Sequence, residues 1–431
     1  MKREEISDAL NLLDEELLSE TDRVRSRPAW MRPKYYRGLG TAACLILVAA
    51  AGMQFHQWLH TGVDLPSETT VVIDSSESAE LPVLSLADWD WGGMGFEGYM
   101  AYDISELVSA NPWDASIPLD RLPVYQNKLT VNEDYLVRGG DFDRMEEVLK
   151  DIAGRLGLDS ENLTITDDAP TEEERQKSME KFKLTGGEPP EGYYDPTRLM
   201  THADGLELEV DLSLTAKITF EPAVPLPDGY NFTFFASYAD CQKTADWLLE
   251  EYAGLMDMEQ PTTAIDGGDY NIYRQQKYQI AFYDASGSYL DQLLNYNFNQ
   301  TVFYCGDDGM LSMARVFQPD LSQKVGDYPI LSVDEAAEQL AEGNCISSVP
   351  SDAIPSDTPA KVELVYRTGE REGYFLPYYR FYLELPSMEE EDGLKTYGAF
   401  YVPAVRPEYL EGVPVWYNVN RLRQGGININ G

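Results

Sequence analysis

Apolar positions near the start of the chain recur at helical spacing. Ile6, Leu10, Leu13 and Leu17 lie four, three and four apart, Ala9, Leu12 and Leu18 widen the stripe, and acidic residues fill the remaining positions. This predicts an amphipathic helix over 3–25. Periodicity then disappears: Gly38 to Leu59 carries no formal charge over 22 residues. At about 1.5 Å of rise per residue such a helix reaches roughly 33 Å, enough to cross a bilayer core. Much later the period becomes two. From Leu206 to Phe220 every even position is apolar and the odd positions are polar or charged. That is the pattern of a strand in an antiparallel sheet with one wet face, and its length predicts a bend or a hairpin.

Further elements follow the same logic. Helical spacing marks Asp141 to Gly157, through Met145, Val148, Leu149, Ile152 and Leu156, and also Tyr238 to Met256. Ser332 and Glu335 form a capping box for a helix over 333–342, which Gly343 stops. Strands are predicted at 121–125, 162–166, 270–284, 300–305, 310–317, 360–368, 373–385 and 396–405, with Pro377 placing its strand at an edge or a bulge. Residues 61–85 read as a linker and 167–200 as a long exposed loop. The fold class is α+β: antiparallel sheets with packed helices in a multi-subdomain ectodomain, preceded by one transmembrane helix. The expected divisions are 1–37 (amphipathic helix and basic collar), 38–59 (membrane span), 60–118 (linker and aromatic, Gly-rich segment), 119–325 (α+β core) and 326–431 (C-terminal α+β module).

Charge gives this arrangement a direction. Arg23, Arg25, Arg27, Arg32, Lys34 and Arg37 precede the uncharged stretch, and no Lys or Arg follows it until Arg121. Cationic flanks stay on the cytoplasmic side, so the N-terminus is expected inside and the bulk of the chain outside the cell membrane. Cleavage near Ala51, as a signal peptide, is the competing reading; it would remove the N-terminal helix. The chain has 33 basic and 74 acidic residues and a net charge of −41, all of it carried beyond the span. Such a field repels nucleic acid, which is excluded as a partner.

Little in the chain points to catalysis. His202 is the only histidine beyond His60, the three cysteines after the span (Cys241, Cys305, Cys345) show no CxxC spacing, and no HExxH, GxSxG or P-loop string occurs. No metal, cofactor or catalytic residue is therefore expected, although abundant carboxylates leave a glycosidase-like pair open. Asp266-Gly-Gly-Asp269 reads as a turn rather than a calcium ligand set. Gly93, Gly95 and Gly98 spell GxGxxG, but without the strand and helix that a dinucleotide site needs. Two binding features stand out. Trp89, Trp91 and Trp113 could line a ligand groove or pack as an aromatic core. Ile6, Leu10, Leu13 and Leu17 could meet a cytoplasmic or membrane partner, such as a kinase or a sigma factor, or belong to a solvated leader.

Three strings carry a resemblance: Gly92-Gly-Met-Gly-Phe-Glu-Gly-Tyr-Met-Ala-Tyr-Asp103, Val325-Gly-Asp-Tyr-Pro329 and Tyr397-Gly-Ala-Phe-Tyr-Val-Pro-Ala404. Through them the chain from about Leu86 resembles a group of uncharacterised, membrane-anchored extracytoplasmic proteins of clostridial gut bacteria. The C-terminal module is distantly similar to YycH/YycI-type regulators, through Ser332-Val-Asp-Glu-Ala-Ala, Val362-Glu-Leu-Val-Tyr366 and Leu376-Pro-Tyr-Tyr-Arg-Phe381. That resemblance implies restraint of a sensor kinase at the membrane surface. The function expected is non-catalytic binding of an envelope ligand or partner, in sensing or signalling regulation. The alternatives are a cell-envelope hydrolase and a purely structural surface protein.

Overall fold

A computed structural model describes residues 81–86, 97–131, 136–184, 186–306, 308–349, 358–370 and 372–412. The predicted N-terminal helix, the uncharged stretch Gly38 to Leu59, and Trp89 and Trp91 lie outside the described residues.

In chain order the described strands and helices are β1 (Leu84–Ser85), β2 (Gly98–Ala101), β3 (Arg121–Gln126), β4 (Thr130–Val131), β5 (Val137–Arg138), α1 (Phe142–Arg155), β6 (Thr166–Asp167), α2 (Glu172–Leu184), β7 (Arg198–Ala203), β8 (Leu206–Asp211), β9 (Ala216–Val224), α3 (Tyr238–Glu251) and α4 (Ala253–Met256). They continue as β10 (Pro261–Tyr270), β11 (Gln276–Asp284), α5 (Tyr289–Phe298), β12 (Gln300–Cys305), β13 (Leu311–Phe317), β14 (Lys324–Pro329), α6 (Val333–Glu342), β15 (Lys361–Tyr366), β16 (Tyr374–Phe375), β17 (Pro377–Glu384), β18 (Lys395–Pro403) and β19 (Leu410–Glu411). The fold is α+β with almost wholly antiparallel sheets; among the described residues only β1 and β19 pair in parallel.

The largest sheet has eight strands in the order β10-β11-β12-β13-β9-β8-β7-β6. The Leu206–Phe220 alternation is a hairpin. It turns at 212–215, where the Asp211 carboxylate accepts from the amides of Ser213 and Thr215. Leu208, Val210, Ile218, Ile280, Phe282, Phe303 and Val316 face α1 and α3, whose Met145, Leu149, Ile152, Ala245 and Leu248 complete the main core. Period-two strands meeting period-3.6 helices over one apolar layer is what the sequence pattern demands.

A second sheet, in the order β15-β17-β18-β2, holds α6 on one face through Leu340, Phe381, Phe400 and Val402. A third, β14-β3-β16, adjoins it. The predicted strand 373–385 divides here: Tyr374–Phe375 pairs with β3, while Pro377 starts β17 opposite Tyr366. Proline, which cannot donate to a ladder, occupies the first position after the change of sheet.

Six segments differ from expectation. The strand expected over 270–284 breaks at a turn, with β10 ending at Tyr270 and β11 starting at Gln276, and the expected linker 61–85 closes in β1, which pairs with β19. Residues 172–184, expected as loop, form α2. Thr171 and Glu174 make reciprocal capping bonds, and Lys177 pairs with Glu173, so local terms build a helix with no buried face. Residues 289–298, not predicted, form α5 behind a Ser288–Asp291 capping box. Asp266–Asp269 is no turn but a bulge inside β10: Gly267 and Gly268 have φ of 111° and 90°, and the chain continues extended to Tyr270. The strand expected at 162–166 shrinks to Thr166–Asp167, preceded by a 3₁₀ turn. Strand β3, placed with 119–325 in the sequence, pairs with β14 and β16 of the C-terminal part. Cys241 and Cys345 are buried free thiols, and burial raises both to about 12.

Candidate functional site

The face of β10–β13 turned away from α3 meets the face of β15–β17–β18 turned away from α6, and a cavity of about 470 Å³ lies between them. Strand alternation decides its lining. On β10 to β13 the residues between core positions are Ala264 and Asp266, Gln279 and Ala281, Val302 and Tyr304, then Arg315 and Phe317. On β17 the core takes Tyr379, Phe381 and Leu383, which leaves Arg380 to the cavity. Tyr401, Arg367, Glu372 and Glu97 contribute from neighbouring segments, and Tyr296 from α5.

Two ion pairs are built into the wall. Arg380 donates to Glu363 through both Nε and Nη2, and Lys361 reaches the other carboxylate oxygen at 2.7 Å. Ser109 and Tyr382 also donate to Glu363. Burial opposes the Glu363 charge, but Arg380, then Lys361, and the hydrogen bonds outweigh it and hold the carboxyl at about 2. Arg367 pairs with Glu372 at 2.8 Å and lies 5.0 Å over the Tyr401 ring.

Three charged side chains have no such match. Arg315 is exposed to the cavity and makes no hydrogen bond or ion pair among the described residues. Asp266 also has open surface, but that surface belongs to a space walled by both sheets. This enclosure raises its carboxyl, with Arg380 acting against the rise and Glu363 with it. Glu97 accepts from the Tyr401 hydroxyl at 3.1 Å through Oε1, while its buried Oε2 has no partner among the described residues. Burial raises its carboxyl too, against Arg367. Such groups are costly when empty and strong when they meet a complementary charge.

The bulge in β10 aims Asp266. A Cβ on Gly268 would stand 1.9 Å from the Glu106 carbonyl oxygen, so only glycine lets the segment after β2 lie against β10, where Val108 and Gly267 exchange backbone hydrogen bonds.

Of the tryptophans singled out in the sequence, Trp113 is described. It is half-buried, meets Tyr379 edge-on at 5.8 Å, and lines a separate cavity of about 450 Å³ with Ser332, Glu335 and Arg406. It is thus part of a core edge and not of the inter-sheet cavity. His202 sits on β7 with Nε2 2.7 Å from Glu207. Among the described residues no cluster of His, Cys, Asp or Glu is placed to hold a metal ion, and no helix is long and apolar enough to cross a membrane. Arg380 and Glu363 went unnoticed in the sequence, although a charge inside Tyr378-Tyr-Arg-Phe-Tyr or Val362-Glu-Leu-Val signals a buried pair.

Fold and site together define an α+β protein with a polar chamber between two antiparallel sheets. No protein-family model matches the chain, and no curated protein matches it by sequence.

Proposed function

We propose that the chain is a single-pass membrane protein whose extracytoplasmic α+β unit binds a small polar ligand without transforming it, in envelope sensing or signalling regulation. The inter-sheet cavity carries this reading. Its volume of about 470 Å³ falls within the range of small-molecule sites, and its wall presents Arg315, Asp266 and Glu97 uncompensated. The basic collar Arg23–Arg37 and the uncharged stretch after it support the anchor and its orientation. The stripe Ile6, Leu10, Leu13 and Leu17 supports a cytoplasmic or membrane partner, of which a kinase or a sigma factor would suit a regulator.

The test is a thermal-shift screen of the full-length chain against wall fragments, sugars and short peptides, repeated with Gln279→Trp, which fills the cavity. A Tm rise in the native chain that is lost in the variant is the expected result. No shift with any compound, or a shift that survives Gln279→Trp, overturns the reading. The anchor is tested separately by protease shaving of intact cells: the unit from Ala79 on should be cut and residues 1–37 protected.

A hydrolase is the second reading, favoured by two carboxyls with raised pKa, Glu97 and Asp266, facing one cavity. Turnover of purified cell wall, lost in both Glu97→Gln and Asp266→Asn, would replace the first reading with this one.

A further inference from the structure

We infer that the inter-sheet cavity takes a short zwitterionic ligand, a peptide of two or three residues with free ends, whose carboxylate meets Arg315 and whose ammonium meets Asp266. The inference rests on the binding reading above and names the ligand class.

The sheet's register sets the spacing. Ala264, Ala281, Val302 and Arg315 lie side by side across β10, β11, β12 and β13. Asp266 is the next cavity-facing position along β10 from Ala264. Its backbone therefore stands three inter-strand steps across and two residues along from that of Arg315, roughly 16 Å at about 4.8 Å per step and about 3.3 Å per residue. Ala264, Ala281 and Val302 make a low floor along the row of Arg315, and Gln279 and Tyr304 rise beside it in the row of Asp266. The arginine side chain spans part of the gap, and an extended tripeptide of roughly 10 Å can bridge what remains.

The charges match in kind as well as in distance. Two of the cavity's arginines, Arg380 and Arg367, already hold carboxylates of the protein, at Glu363 and Glu372. Arg315 alone of the three makes no ion pair among the described residues, and its planar fork suits a carboxylate. Asp266 makes no ion pair either, and Glu97 adds a second acceptor on the opposite wall. An anion alone would leave both carboxylates unmatched, and a cation alone would leave Arg315 unmatched. Gln279, Gln300 and Asn297 offer amide donors and acceptors for the peptide groups between. The side chains have little room, since the floor and Tyr296, Tyr304 and Tyr401 confine the space.

Isothermal titration of the full-length chain with trialanine, its C-terminal amide, its N-acetyl form and the uncharged sugar cellobiose tests this. Trialanine should bind, and each blocked form should bind at least about tenfold more weakly, as loss of one charge-assisted contact implies. Arg315→Gln should abolish the discrimination between trialanine and its amide. Asp266→Asn should abolish that between trialanine and its N-acetyl form. Gln279→Trp should remove binding altogether. Equal binding of all three peptides overturns the inference. So does cellobiose binding that Gln279→Trp removes while no peptide binds, an outcome that leaves the cavity as a ligand site. If no probe binds, the inference falls, and the binding reading falls with it when the wider thermal-shift screen is empty too.

Discussion

At the scale of single residues, Glu363 and Arg380 show how the cavity wall is held. The Glu363 side chain is 4 % exposed, so removing Arg380 leaves a buried carboxylate with Lys361 as its one cationic partner among the described residues. Arg380→Ala should therefore cost about 3–5 kcal/mol in urea unfolding. A loss under about 1 kcal/mol would show the pair to be unimportant. The Glu363 carboxyl, at about 2 against an ordinary 4.5, releases its proton more readily in the folded chain. Its contribution is thus complete above about pH 4.5 and is lost as pH falls towards 2. Glu363→Gln should flatten the acid limb of the stability curve in that window. Asp266 has the opposite sign. Its carboxyl is raised in the folded chain, which then binds more protons than the unfolded one, and stability falls as pH rises through the shifted range. Asp266→Asn should remove that slope and raise the Tm at neutral pH. An unchanged pH dependence would mean that Asp266 is solvated as in open water. These residues were hard to read in the sequence because carboxylates are everywhere in a chain with 74 of them. Only folding separates the few that face the cavity from those that face solvent.

At the scale of elements, strict periodicity and complete caps were legible. The capping box at Ser332 gives α6, whose Ser332 and Glu335 bond reciprocally and whose Gly343 ends it at φ 88°. Ser332→Ala should cost about 1 kcal/mol, read from chemical unfolding. The alternation from Leu206 to Phe220 gives β8 and β9. Helices α2 and α5 carry capping pairs at Thr171 and Ser288 but little apolar periodicity: α2 buries no side chain, and α5 buries Leu293 and Phe298 alone. A Gly-Gly pair in sequence suits a turn or a bulge alike because positive φ serves both, and the neighbour at Glu106 distinguishes them. Gly268→Ala should destabilise by about 3 kcal/mol, since the added methyl meets a backbone oxygen and not a movable side chain. A near-neutral result in thermal melts would place the segment around Glu106 away from β10.

At the scale of the whole molecule, the α+β class and the antiparallel sheets followed from local pattern, and the long-range pairing did not. Nothing in Arg121–Gln126 names Lys324–Pro329 or Tyr374–Phe375 as its neighbours. Because β3 and β14 lie side by side, with the Gln126 amide bonded to the Gln323 carbonyl at 2.9 Å, the chain leaves the C-terminal sheets and returns to them at one place. All eight strands of the large sheet fall between those two points. This nesting imposes an order on synthesis. The large sheet can close as soon as residue 317 has emerged, while β2 and β3 must wait for β18, β14 and β16. Chains halted after Phe317 should accordingly show protease-resistant β6–β13 and a protease-sensitive β3, at 121–126. Resistance of both would mean that the early strands find a temporary partner. During synthesis the chain thus passes through a stage with three orphan strands on its N-terminal side, β1, β2 and β3, and β1 is the last to be paired, since its partner β19 emerges after all the others.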